Sequence, residues 1–432
     1  MIAIGNEALL FDVKYIFGQK LKLTYYIEND INAIIRQIPL FGNDVIVCFQ
    51  DETEFELRAK LRNLTRVQDY LLVSDLAKTL DKVYLPQYNN RASALFLTVY
   101  KAPHGIYKPC YRALYNAQVD KNGDVYICCS ALQHFSVGNI CENNLSKIWK
   151  SFWVKILHLS AINGTLCLCK KGTCQYQQEE KEIFVYKEKT SMSLPQHLNI
   201  AIDDSCNLSC RFCRTSLYTC NESEKLKRLK LIDRLLPEIT NIPYLYFAGN
   251  GEVFFSEIYK SFLLSKSERL CQILTLVTNG ILYSDEDLIK IAERCDNLRV
   301  YVSIDAASVQ TYNFLRRNPN FEILLKNLSK MNELRKQGII RELVFRFVVQ
   351  KANYLEMPEF IALGKKYGAD RVEFTRLVKS DTEYLSEYES ISLLTADGKL
   401  KGQYHSWFSN VIFKDDYVNI DKAFINEEWE NE

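Results

Sequence analysis

The chain has 432 residues, 47% hydrophobic and 25% charged, too many for one ordinary core, so two or three domains are expected. Its 54 Lys and Arg against 53 Asp and Glu leave a formal charge of +1, which excludes a global field drawing it to nucleic acid or to an anionic membrane. No run of about eighteen apolar residues occurs, and the opening MIAIGNEALLFDVK has acids where a secretory leader would be basic and then apolar, so a cytoplasmic protein with no membrane segment is expected.

Residues 1 to about 95 alternate short strands and helices: MIAIG, the helical NEALLFDVKYIFG, LKLTYYIEND, DVIVCF and the amphipathic ETEFELRAKLRNL. That order predicts a small parallel sheet. Gly5 closes the first strand, and Glu28 and Asp30 close the second, where a dinucleotide turn and its ribose-binding acid would lie. Only one glycine of the G-x-G-x-x-G fingerprint is present, in IGNEAL. The segment resembles a degenerate Rossmann-like module of the kind attached to bacterial sugar-modifying and surface-glycan enzymes.

From about 100 to 180 the texture changes to cysteine-rich loops with one short helix, NNLSKIWKSFW, and KEIFVYKEKTSMSLPQ then reads as a charged linker ending at Pro195. Ten of the fourteen cysteines fall between Cys110 and Cys213. In a reducing compartment such a density argues for metal or cluster ligation over a disulfide framework. Cys48, Cys271 and Cys295 lie inside predicted elements and read as small core residues.

From about 196 to 380 the alternation becomes regular. HLNIAID, YLYFAG, QILTLVT, LRVYVSID, ELVFRFVVQ and RVEFTRL are strands. Between them lie helices such as EKLKRLKLIDRLLPEI, DEDLIKIAERC after Ser284, FEILLKNLSKMNELRKQG closed by Gly338, and EMPEFIALGKKYG closed by Gly368. Six βα units with apolar strands and short crossovers predict a parallel sheet curled into a partial (β/α)6 TIM-like barrel, so the fold class is α/β with chemistry at the strand C-terminal ends. Residues 381–432 begin polar and end acidic as INEEWENE, and are expected to be partly disordered.

The loop leaving the first barrel strand reads DDSCNLSCRFCRTS, with Cys206, Cys210 and Cys213 at C-x3-C-x2-C spacing. Zinc would want four closed ligands, and only Cys220 is near. A cubane iron-sulfur cluster on three thiolates leaves one iron open to a reactant. This loop resembles that of the radical S-adenosylmethionine (radical SAM) superfamily, down to an aromatic residue, Phe212, before the third cysteine. Later strand ends agree: YFAGNGEVF resembles the family's glycine-rich turn ending in Gly-Glu, with Gly249, Gly251 and Glu252, although Val253 stands where proline often follows. TNG with Asn279, SIDAAS with Ser303 and Asp305, YNFLRR with Arg316, and VVQKAN with Gln350 and Asn353 complete the set.

The resemblance implies that the three cysteines hold a [4Fe-4S] cluster, and that Phe212, Gly249, Gly251, Glu252, Asn279, Ser303, Asp305 and Arg316 bind S-adenosylmethionine, with Glu252 pairing the methionine amino group. It also implies reductive cleavage of S-adenosylmethionine to methionine and a 5′-deoxyadenosyl radical that abstracts hydrogen from substrate. A reduced flavodoxin or ferredoxin would be the electron donor. The plainer reading of Ser303, Arg316, Gln350 and Asn353 is that they cap loops.

The upstream cysteines have their own pattern. Cys110 is followed by Gly123, DVYI, Cys128 and Cys129, and the chain returns with Cys167, Cys169 and Cys174. A hairpin at DKNGD is expected to bring Cys110 and Cys128 together. With GNI and a helix carrying IW, this resembles a SPASM or twitch auxiliary-cluster module, here ahead of the barrel. The resemblance implies one auxiliary [4Fe-4S] cluster on Cys110, Cys128, Cys169 and Cys174, with Cys129 and Cys167 as rivals and Cys141 outside the set. Four thiolates suit zinc equally well, so cluster and zinc both stand.

The expected activity is a radical SAM oxidation or modification of a peptide or carbohydrate substrate. The alternative is a non-catalytic binding or regulatory protein with a structural metal site.

Overall fold

The computed structural model of the protein describes residues 110–130, 136–151, 193–249, 251–265, 268–378, 385–395 and 398–425, with residues 2–5, 24–27, 45–48 and 71–72 and the single positions Ala33, Val154, Leu157, His158, Ala161 and Cys174. It divides into two units, one of residues 1–113, 133–137 and 150–169, the other of residues 114–132, 138–149 and 170–432. The cysteine-rich segment 100–180 contributes to both.

In the first unit, β1 (Ile2–Gly5), β2 (Thr24–Ile27), β3 (Val45–Cys48) and β4 (Leu71–Leu72) form a sheet of order β2-β1-β3-β4 with every pairing parallel. An order beginning 2-1-3-4 is that of doubly wound sheets. The helices expected between these strands, and Glu28 and Asp30, lie outside the described residues.

The second unit is built on one ten-stranded sheet. β5 (Asn116–Asp120) and β6 (Asp124–Ile127) make the hairpin expected at DKNGD, whose turn holds Gly123 at φ 81°. β7 (Gly138–Asn139) adds an antiparallel edge, and α1 (Leu145–Trp149) follows. Then come β8 (His197–Ala201), α2 (Glu222–Ile239), β9 (Tyr244–Phe247), α3 (Glu257–Leu264), β10 (Cys271–Thr278) and α4 (Asp285–Ala292). β11 (Cys295–Ser303), α5 (Val309–Arg316), α6 (Phe321–Lys336), β12 (Glu342–Val349), α7 (Met357–Lys366) and β13 (Arg371–Arg376) continue it. Strands β8 to β13 are parallel and adjacent in chain order, the partial TIM-like barrel the sequence predicts.

Alternation along the strands produces the layering. Leu198, Leu245, Phe247, Leu274, Leu276, Val300, Val302, Phe345, Phe347 and Phe374 are buried, and Phe247 meets Tyr259 and Phe262 of α3 at centroid distances of 5.3 and 5.8 Å. These positions face the helices. Several of the intervening positions are polar: Tyr246 pairs in register with Thr275, and Arg346 with Glu373. Helix starts follow the expected chemistry, with a capping box at Asn221 and Glu224 and side-chain caps from Ser256, Ser284 and Ser308. Gly338 and Gly368 leave their helices at φ 77° and 72°, as their place at helix ends predicts.

Two features go beyond the expectation. β5 pairs in parallel with β8, so the cysteine-rich hairpin extends the barrel sheet itself, and Glu238 of α2 accepts from Leu145 N and Ser146 N at 2.6 and 2.9 Å to cap α1. Within the C-terminal segment, residues 398–425 are built into the fold: β14 (Val418–Ile420) joins the sheet parallel to β13, and Arg376 pairs with Asp421 at 2.6 Å where both side chains are buried. Phe408, Phe413 and Phe424 fill that core. Their irregular spacing among polar residues carries neither helical nor strand period, which hid them in the sequence.

Phe347 is fully buried between Phe360 and Phe374, at 4.8 and 5.3 Å. Phe347→Ala is predicted to lower stability by about 3–5 kcal/mol, read as a lower urea midpoint at unchanged slope.

Candidate active site

The chain leaves β8 through Ile202 into a buried acid, Asp203. Its Oδ1 accepts from Ser205 N and Ser205 Oγ at 3.1 and 2.9 Å and pairs with Arg228 of α2, while Oδ2 accepts from Ser256 Oγ at the start of α3. Both members of the Asp203–Arg228 pair are buried, so each charge depends on the other. Arg228 also donates to Tyr218 Oη at 2.9 Å, and Tyr218 O accepts from Cys206 N at 2.9 Å. The first cysteine is therefore fixed from the barrel's helix layer. Sequence reading missed Asp203, Arg228, Ser256 and Tyr218; the only signal was an acid immediately before the loop.

The far side of the loop is strapped to α5. Arg211 N donates to Leu315 O at 2.8 Å, the Arg211 guanidinium lies 4.5 Å from the Phe314 ring centroid, and Arg316 lies 5.9 Å from that of Phe212. Arg316 Nη1 donates to Cys210 Sγ at 3.5 Å, Nε to Ile304 O at 3.2 Å, and Nη2 meets Asp305 at 2.6 Å. Burial pulls the Arg316 pKa down, but Asp305 and Cys210 more than offset it, and the guanidinium stays charged. Burial pushes the Cys206 thiol up to about 11 and the Cys210 thiol upward, with Arg316 opposing the latter.

The glycine-rich turn after β9 lies against this loop. Glu252 N donates to Ser205 O at 2.8 Å, and a Cβ on Gly251 would fall 2.2 Å from Asp203 O, so a side chain there would force the two loops apart. Gly249 sits at φ 127°, a conformation open to glycine. The Glu252 carboxylate is buried, and burial pushes it up to about 7. It accepts from Thr278 Oγ1 and Asn279 N at 2.6 Å each and from Phe254 N at 3.2 Å, so it joins the ends of β9 and β10. Asn279 Nδ2 reaches Asn207 Oδ1 in the cysteine loop at 2.8 Å.

At the end of β11, Asp305 adopts φ 64° and accepts from Val348 N at 2.7 Å. Ser303 ends the strand in register with Arg346. Asn353 is spent on the backbone, accepting from Gln350 N at 2.7 Å and donating to Asp305 O at 3.0 Å and Val348 O at 2.9 Å. The Gln350 amide is different. It is 2% exposed and its Nε2 has no acceptor among the described residues.

Of the upstream cysteines, Cys128 follows β6 at φ 75°, a left-handed conformation uncommon for a non-glycine residue. Its N–H donates to Asn116 O at 2.9 Å and its carbonyl accepts from Asn116 Nδ2 at 3.1 Å, so the hairpin sets it opposite Asn116. Cys129 and Cys174 are half-buried in the same unit, Cys141 is exposed, and Cys110 belongs to the first unit. Cys167 and Cys169 lie outside the described residues. Among the described residues no three His, Cys, Asp or Glu side chains converge tightly enough for a single metal ion. A cubane gives each thiolate a different iron, so its ligands need no such convergence.

The Radical SAM superfamily family model matches residues 201–363, and the model of the iron-sulfur cluster-binding domain SPASM matches residues 110–175. No curated protein matches the chain. Among solved structures, Streptococcus suis SuiB bound to S-adenosylmethionine is 16% identical with a TM-score of 0.35, covering 52% of this chain and 50% of its own. The native anSMEcpe structure with bound AdoMet is 18% identical with a TM-score of 0.34, covering 52% of this chain and 63% of its own. The match thus spans about half the length of the first of these chains.

A radical SAM domain implies a [4Fe-4S] cluster with S-adenosylmethionine, and a SPASM domain implies auxiliary iron-sulfur clusters. The barrel residues fit. Each loop sulfur has a donor: Leu208 N to Cys206 Sγ at 3.4 Å, Arg316 to Cys210 Sγ, and Arg214 to Cys213. The orphaned Gln350 amide is a buried donor of the kind a polar ligand at this end of the sheet would satisfy.

Asp203→Ala would leave Arg228 buried without its carboxylate. The predicted outcome is a loss of about 3–5 kcal/mol in denaturant unfolding, together with loss of the cluster iron bound by the barrel loop.

Proposed function

We propose, for a chain carrying a radical SAM domain behind a SPASM domain, that it is an enzyme of a reducing, cytoplasmic setting that oxidises or otherwise modifies a peptide or carbohydrate substrate. The observation that carries this reading is the loop after β8, where three thiols, each met by an N–H donor, lie beside a glycine turn from β9. When bound, the cluster and S-adenosylmethionine supply a reductively generated 5′-deoxyadenosyl radical, the electron coming from a reduced flavodoxin or ferredoxin.

The chain's own residues hold and orient. Cys206, Cys210 and Cys213 are the cluster ligands, and a fourth protein ligand is not needed. Gly249 and Gly251 let the β9 turn lie close against Ala201 and Asp203 at the end of β8, and Asn279, Ser303, Asp305 and Gln350 stand at the C-terminal ends of the following strands. Glu252 is buried with both oxygens accepting from protein donors, so we assign it to holding the β9 and β10 ends in place, with its contact to the methionine amino group dependent on rearrangement. Phe212 sets its ring 5.9 Å from the Arg316 guanidinium.

The face of the sheet turned from the helices supports a polar substrate. Arg346 donates to Tyr246 Oη, pairs with Glu373 at 2.8 Å and lies 4.4 Å from the Tyr301 ring centroid. Guanidinium and phenol groups of this kind suit amide or hydroxyl groups better than a hydrocarbon chain. Cys128, held in a left-handed conformation at the end of the hairpin, is the auxiliary ligand that the described residues support best.

Protein reconstituted anaerobically with iron and sulfide and reduced with dithionite is predicted to cleave S-adenosylmethionine slowly to 5′-deoxyadenosine. Alanine at Cys206, Cys210 and Cys213 should abolish this. Cys128→Ala should retain uncoupled cleavage while losing modified product. Absence of cleavage under any reductant, in protein with full iron content, would favour the non-catalytic metal-binding alternative.

A further inference from the structure

Of the two guanidiniums that reach a sulfur of the cysteine loop, Arg316 is the buried one. Arg214, which serves Cys213, is half-buried and reached by water. Arg316 is 6% exposed, so solvent and salt screen its charge little. Three of its nitrogens are committed within the protein, to Cys210 Sγ at 3.5 Å, to Ile304 O at 3.2 Å and to Asp305 at 2.6 Å.

Its position is held independently. α5, which bears it at its C-terminus, is capped at the other end by Ser308 and braced there by Glu356, which accepts from Ala307 N at 2.7 Å, Ser308 N at 3.1 Å, and the Ser308 and Thr311 hydroxyls at 2.5 Å each. Arg317 then leaves the helix at φ 50°. The guanidinium therefore meets Cys210 through a fixed helix, and its net field at the sulfur is set by how far Asp305 neutralises it.

Resting on the cluster reading above, we infer that Arg316 and Asp305 form a charge lever on Cys210 that sets the reduction potential of the barrel cluster. Reduction adds negative charge to the cluster and its sulfurs. An N–H donor and a buried positive charge at Cys210 favour the reduced state, and the Asp305 carboxylate opposes them. Arg316 is a positioning and tuning residue on this account. The pair predicts effects of opposite sign, which a merely structural role would not produce.

The test is a redox titration, monitored by electron paramagnetic resonance, of the anaerobically reconstituted full chain without S-adenosylmethionine. The barrel signal is identified separately by its change when S-adenosylmethionine is added. Arg316→Gln is expected to make the cluster at least tenfold harder to reduce, a fall of about 59 mV for a one-electron couple. Asp305→Asn is expected to raise the potential; asparagine keeps an oxygen for Val348 N and tolerates the left-handed backbone. Opposite shifts support the lever, and any other pattern overturns it. If Arg316→Gln fails to retain iron, the sign of the Asp305→Asn shift decides alone. A parent protein with no signal responsive to S-adenosylmethionine contradicts the cluster reading instead, which separates the two failures.

Discussion

The arrangement depends on one buried carboxylate. Asp203 has no exposure to water, and a carboxylate is tolerated in such a place because a guanidinium and three further donors surround it. Those donors come from three places: the cysteine loop through Ser205, α2 through Arg228 and α3 through Ser256. The same residue's N–H donates to Tyr259 Oη at 2.8 Å, and that hydroxyl also reaches Ile200 O at 3.2 Å. The end of the first barrel strand, two helices and the cysteine loop are thereby fixed by a single set of contacts. None can shift without stranding a buried charge.

From that anchor the loop is held at both ends. Tyr218 carries the constraint from Arg228 to Cys206, and α5 holds the other end at Arg211, Phe212 and Cys210. The turn after β9 closes the third side at Gly251, where only a residue without a Cβ allows Asp203 O so near. Sulfurs held this way have a defined spacing. On the cluster reading proposed above, such rigidity would limit the protein rearrangement that accompanies electron transfer.

Much of this was legible in the sequence for local reasons. Strand and helix periods, the cap at Ser284 and the helix-closing glycines Gly338 and Gly368 are all properties of short windows, and they yielded the order of the barrel. The cysteine spacing was legible because chemistry dictates it. What stayed hidden depends on residues far apart in the chain. Nothing near Glu252 signals that Thr278 and Asn279 will take its oxygens, and nothing near Asp203 signals Arg228 and Ser256. The joining of β5 to β8 and of β14 to β13 is likewise a pairing of edges, which composition and periodicity do not record. Cys128 shows both sides: its place after a hairpin was readable, whereas its left-handed backbone and its partner Asn116 were not.

The central claim is that three thiolates leave one iron of the barrel cluster open to S-adenosylmethionine. Electron-nuclear double resonance on the reduced, reconstituted protein, mixed with S-adenosylmethionine carrying ¹⁵N in its amino group, tests this most directly. The account predicts a hyperfine coupling from that nitrogen to the cluster, absent when Cys206, Cys210 and Cys213 are alanine. A saturated complex of iron-replete protein with no such coupling would contradict it.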